Sequence, residues 1–115
     1  ARRALVVVTP DPVCVRDAAK TRLRLQEAGI AQQRLVINRF SSANFRVQNC
    51  YRDLDAVIDA AGVRLIAVIP DDPLLAAAGA GAQPAPPKSP GGRALARLAA
   101  RLEGEQIPLP PLRKL

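Results

Sequence analysis

The chain has 115 residues and a formal net charge of +7; hydrophobic residues make up 49% of it and aromatic ones only 3%. That length suits one small domain with an interior of Ala, Val, Leu and Ile, and so few rings exclude the stacking platform that holds single-stranded nucleic acid. There is no histidine, the two cysteines (Cys14 and Cys50) are far apart, and no apolar run is long enough to cross a bilayer; zinc and iron–sulfur spacings are therefore excluded, and a reduced cytoplasmic setting is expected.

Leu5–Val8 is continuously apolar and β-branched, the pattern of a parallel strand buried on both faces. Asp11-Pro12 then reads as a helix start, with Asp11 as N-cap and Pro12 where its missing N–H costs nothing. The helix is expected to run to Ala28 and stop at Gly29, with Ile30 folding back. Ala18, Ala19, Leu23 and Leu25 are candidates for its sheet side. The apolar neighbours Val13 and Val15 argue for a buried Cys14 thiol. Leu35–Ile37 reads as a second strand ending at Asn38-Arg39. Residues 40–52 are polar, basic and aperiodic, and are expected to be a loop anchored by Phe40, Phe45 and Tyr51. Asp53 caps a short helix through Ala61, stopped by Gly62. Leu65–Ile69 is a third strand, ending in Pro70-Asp71, and Asp72-Pro73 starts another short helix.

The organisation expected is therefore a main α/β unit over 1–78, a Gly/Ala/Pro-rich connection over 79–92, a C-terminal helix over 93–104 whose start signal is Ser89-Pro90, and an irregular tail over 105–115. In the last helix Leu95, Leu98 and Leu102 form the apolar side, and Arg93, Arg97 and Arg101 form a stripe on another face. Such a basic amphipathic helix can lie on an anionic membrane, although packing on the sheet is the simpler account. The fold class is α/β: a parallel sheet of about three strands flanked by helices, with the turns after the strands gathered at one edge, where such folds bind ligands.

Charge is uneven. Residues 1–52 hold ten Arg/Lys against three Asp/Glu, and residues 53–115 hold seven of each. The basic half can attract nucleotide, nucleic acid or anionic lipid, or serve simply as solvated surface. Among single residues Asn38 stands out, because its amide offers a donor and an acceptor that match the adenine edge; asparagine is also a common turn residue. Arg39 can stack on a base or neutralise phosphate, or it can pair with Asp71 or Asp72. Asp71 and Asp72 alone do not make a hard-cation site.

The run Leu-Val-Val-Val-Thr-Pro-Asp-Pro-Val-Cys-Val-Arg-Asp-Ala-Ala-Lys at 5–20 resembles the MinD branch of the MinD/ParA family of P-loop ATPases. Leu-Val-Ile-Asn-Arg-Phe at 35–40, Asp-Leu-Asp-Ala-Val-Ile-Asp at 53–59, Leu-Ile-Ala-Val-Ile-Pro-Asp-Asp at 65–72 and Pro-Lys-Ser-Pro at 87–90 follow in that family's order. The resemblance implies the C-terminal half of such an ATPase, a partial P-loop NTPase fold of the deviant Walker A type, acting in septum-site determination. It implies that Asn38 contacts the adenine edge, Arg39 lies beside the base, and Pro70, Asp71 and Asp72 line the same pocket. ATP or ADP would be the cofactor of the complete protein, with Mg held by the missing half and none bound tightly by this chain alone. The phosphate loop, both switch segments and the metal-directed carboxylate of the family are absent from the sequence, so no catalytic residue is expected here.

The partners so implied are the missing N-terminal half or a second copy through an exposed sheet edge, a homodimer in the parent, division regulators, and peripheral contact with the inner membrane from the bacterial cytoplasm. A non-catalytic interaction domain and a ParA-like nonspecific DNA-associated ATPase part are the alternatives, the latter marked by a steep salt dependence.

Overall fold

The structure is a computed structural model and describes residues 2–115. Strands β1 (Arg3–Val8), β2 (Gln32–Phe40) and β3 (Leu65–Pro70) form one parallel sheet in the order β1-β2-β3. Helix α1 (Pro12–Glu27) links the first pair, and α2 (Ser42–Gln48) and α3 (Leu54–Ala61) link the second. Helices α4 (Pro73–Ala80) and α5 (Pro90–Leu102) follow, then a 3-10 turn at Leu112–Lys114.

Alternation along the strands divides the core into two layers. Val6, Val8, Leu35, Ile37 and Val68 point to one face and pack with Val15 and Ala18 of α1 and Leu54, Val57 and Ala61 of α3. Val36, Ala67 and Ile69 point to the other and meet Ala94 and Leu98 of α5. The expected class is what the chain forms, a three-stranded parallel sheet flanked by helices in the manner of P-loop NTPase-like α/β folds.

The helix ends follow their sequence signals. Asp11, Asp53 and Asp72 each accept a backbone N–H at the start of α1, α3 and α4. Past α1, Gly29 adopts φ +86°, Ile30 N–H donates to Leu25 O and Gly29 N–H to Gln26 O, the paired bonds of a Schellman stop.

Four expectations need correction. Residues 40–52 are not all loop: Ser41 caps α2 through Asn44 N–H, and Asn49 ends it in the left-handed region. Seven residues with none buried leave no apolar period to read. On α1, Leu23 is exposed and the inward line is Val15, Ala18 and Leu25. Cys14 is only half-buried, beside the Thr9 hydroxyl at 3.1 Å, and Val13 is exposed. Arg101 leaves the solvated stripe, donating to the carbonyls of Ile66, Ile107 and Pro108. The tail returns to the main core, where Leu112 and Leu115 pack and Ser42 N–H donates to Leu115 O.

Among the described residues no helix is long and apolar enough to cross a membrane.

Candidate functional site

Parallel strands place their C-terminal ends along one rim, and the turns there carry the polar residues singled out in the sequence. Between Ile37 and Phe40 the pairing of β2 with β3 slips by one residue. Arg39 occupies this bulge at φ +55°, a conformation uncommon for a residue with a side chain. The bulge returns Phe40 to the core at 2% exposure and leaves Asn38 and Arg39 on the rim. Asp71 N–H then donates to Phe40 O at 2.9 Å, which fixes the end of β3 against the end of β2.

Asn38, Arg39, Pro70, Asp71 and Asp72 all line one cleft of about 410 Å³, closed on its apolar side by Leu75 and Ala76 of α4. Sequence reasoning missed this α4 wall, although the cap at Asp72-Pro73 already placed a helix there. Among the described residues no hydrogen bond engages the Asn38 amide, so its donor and acceptor both remain available. Arg39 Nε lies 3.8 Å from Asp71 Oδ1, a loose pair between exposed groups that contributes little to stability and yields readily. Arg39 and Asp71 also border a neighbouring cleft of about 270 Å³ with Thr9, Ser41, Asn44 and Gln48.

Asp72 is engaged differently. It is buried, its Oδ1 accepts Leu74 N–H at 3.0 Å, and its Oδ2 accepts Gly91 N–H at 2.9 Å. One carboxylate thus joins the starts of α4 and α5, and the Gly91 hydrogen bond, first among its contacts, holds its pKa below the usual aspartate value. Both carboxylate oxygens of Asp72 are thus engaged by backbone N–H groups. Asp11, at the far side of the rim, has its pKa lowered mainly by the Thr9 hydroxyl, which donates to Oδ2 at 2.5 Å.

The adenine edge needs one donor and one acceptor on a rigid support, and Asn38 beside an apolar wall meets that need. Phosphates and a metal ion are not matched here. The sequence has no glycine-rich phosphate loop, and among the described residues no three His, Cys, Asp or Glu side chains come together to hold a metal ion.

No family model matches the chain. It is 31% identical over 112 residues to the septum site-determining protein MinD of Bacillus subtilis, an alignment covering 95% of this chain and 41% of that protein. The fold superposes on the MinD cell division protein of Aquifex aeolicus with a TM-score of 0.85 at 26% identity, over 96% of this chain and 48% of the other. It superposes on the Pyrococcus horikoshii septum site-determining protein MinD complexed with Mg-ADP with a TM-score of 0.76 at 28% identity, over 89% of this chain and 41% of the other. The chain is similar in sequence and in fold to MinD proteins.

These matches correct one expectation. They run through 89–96% of this chain, so it is described by likeness to the MinD domain throughout and not as a C-terminal half. The chain spans less than half the length of these MinD relatives.

Proposed function

We propose that the rim cleft is the adenine-side wall of an ATP/ADP site in a MinD-type ATPase that helps to position the division site. The observation that carries this reading is the convergence of five residues from two strand ends on one cleft, with the Asn38 amide free of protein partners. Asn38 hydrogen-bonds the base edge, Arg39 swings from Asp71 to lie against the ring, and Pro70 with Leu75 supplies apolar contact. Asp71 and Asp72 complete the wall, Asp72 by fixing it. These residues bind and orient the base, and none of them is given a step in hydrolysis. In this reading the protein works in the bacterial cytoplasm and at the inner-membrane surface, as a homodimer that meets division regulators.

A second reading, an interaction domain, is favoured by the free edge of β1. Leu5 and Val7 are 41% and 59% exposed, on the same side of the sheet as Val36 but beyond the reach of α5. An unpaired apolar edge pairs with another strand, here one supplied by a second copy.

The test is adenine nucleotide binding, read by NMR because binding through the base alone is weak. Asn38→Ala is expected to weaken ADP binding about tenfold, the loss of one or two hydrogen bonds to the base. ADP binding unchanged by Asn38→Ala, or ATP turnover by the pure chain that the same substitution abolishes, contradicts the reading.

A further inference from the structure

At the end of the sheet opposite the rim, a separate cleft of about 250 Å³ opens between the last turns of α1, the start of β2 and the turn after α3. Arg22, Arg34 and Arg64 line it together with Gln26 and Gln33, and no carboxylate does. Among the described residues none of the three arginines pairs with an acid; the ion pairs present use Arg39 and Arg52.

Two polar atoms in this wall are shut from solvent without a hydrogen-bond partner, Arg22 Nε and Gln33 Oε1. Gln33 is 8% exposed, and its Nε2 donates to the carbonyls of Arg22 and Ile30, each at 3.1 Å. Those two bonds fix the amide orientation and leave Oε1 as an acceptor lacking a donor. Arg22 falls seven positions after Val15 and four after Ala18, on the inward line of α1. Its guanidinium lies over Gly62, where a Cβ would come within 2.8 Å of Arg22 Nε. Gly62, at φ +74°, therefore both ends α3 and makes room for the guanidinium.

A buried unmatched donor or acceptor costs about 1–3 kcal/mol and is rare in folded proteins. Here one of each belongs to a residue that lines a cationic cleft. A water molecule can satisfy both atoms but leaves the three guanidinium groups uncompensated. An oxyanion that keeps a proton answers both demands: it accepts from Arg22, donates its O–H to Gln33, and carries negative charge. Sulfate, with no proton to give, would set a lone pair against Gln33 Oε1. We propose that this cleft binds a hydrogen phosphate group, either the free ion or a phosphomonoester, with Arg22, Arg34 and Arg64 supplying the charge and Gln33 Oε1 accepting the phosphate O–H. The cleft is independent of the base site, which lies at the other end of the strands.

The test is calorimetric and NMR titration of the 115-residue chain with sodium phosphate and with sodium sulfate, at mildly acidic pH and equal ionic strength set with chloride. Phosphate is expected to bind at least about tenfold more tightly than sulfate, with shifts at residues 22, 33 and 62–64. Arg64→Gln, a change at an exposed position that leaves the core intact, is expected to weaken phosphate binding about tenfold. A glycerol 3-phosphate arm separates the sources: binding of both assigns a phosphomonoester, and binding of inorganic phosphate alone assigns the free ion. Equal affinity for phosphate and sulfate, an unchanged affinity in Arg64→Gln, or shifts confined to the rim overturns the assignment.

Discussion

Asp72 shows how one side chain sets the shape of the rim. Its two oxygens hold the first turns of two helices, through Leu74 N–H in α4 and through Gly91 N–H in α5, 19 positions along the chain from Asp72. Ionisation strengthens both bonds, which is why its pKa lies below the ordinary aspartate value of 3.8. Asp11, capping α1 and bonded to Thr9, is shifted the same way. A carboxylate with a depressed folded-state pKa stabilises the fold fully above its unfolded value, and that stabilisation is lost as the pH falls through the folded value. The melting temperature is therefore expected to hold from neutral pH to about pH 5 and to fall progressively below about pH 4. Asp72→Asn should lower the melting temperature at pH 7 and flatten this acid limb. Thermal melts across that range check it; an acid limb unchanged in Asp72→Asn would show that the carboxylate is not what holds the two helix starts. In the sequence Asp72 read both as helix cap and as pocket residue. The second bond, to Gly91, was illegible because nothing local relates positions that far apart.

Among the elements, α5 begins where its backbone at Gly92 lies close against Pro86. Ser89 caps it by accepting Gly92 N–H at 3.0 Å, and its hydroxyl donates to Pro86 O at 3.0 Å. A Cβ on Gly92 would fall 1.8 Å from Pro86 O, and one on Gly91 would fall 2.9 Å from Asp72 Oδ2. Replacing a helical glycine by alanine ordinarily gains about 1 kcal/mol. Here the clash is with backbone, which cannot rotate away, and overpacking of this kind costs about 1–3 kcal/mol or more. Gly92→Ala is thus expected to destabilise the fold by about 2 kcal/mol and to loosen α5 from Val36, Ala67 and Ile69, as urea melts and hydrogen exchange would show. A neutral or stabilising effect would mean that the connection before α5 shifts freely. The contrast with α2 is instructive. Continuous apolar runs made the three strands legible, and Ser89-Pro90 marked the start of α5. Helix α2 has its caps, Ser41 and Asn49, and a single partly buried anchor, Phe45 against Phe40, so periodicity is silent about it. The return of the tail onto α2 rests on carbonyl bonds from Ser42 to Arg113 and Leu115 that carry no sequence signal.

Across the whole molecule the sheet divides the chemistry by direction. Strand ends carry Asn38, Arg39 and Asp71 to the rim, and strand starts carry Arg3, Arg34 and Arg64 to the opposite end, where Arg3 donates to Leu102 O. The basic excess of the first 52 residues, legible as a number, thus resolves partly into arginines spent on carbonyls and partly into the anion cleft. The uncovered side of the sheet is β1, where Leu5 and Val7 face outward. If this edge is used for association, Val7→Lys should shift the chain toward monomer in light scattering at high concentration without lowering its melting temperature, since Val7 is already exposed and charge blunts an edge. Association unchanged by Val7→Lys would place the contact elsewhere. The likeness to MinD proteins agrees with the order of motifs along the chain, whereas the positions that build the rim cleft come together only through the parallel register of β2 and β3.

The claim on which the functional reading depends is that the rim reads an adenine base. Amide-resolved NMR titration of the 115-residue chain with adenosine and, separately, with guanosine tests it most directly. Adenosine is expected to shift the Asn38 side-chain NH2 together with residues 39 and 70–76, and guanosine, whose base edge presents the opposite donor and acceptor order, is expected to shift them far less. Shifts that are equal for the two nucleosides, or that leave the Asn38 amide unmoved, would contradict it.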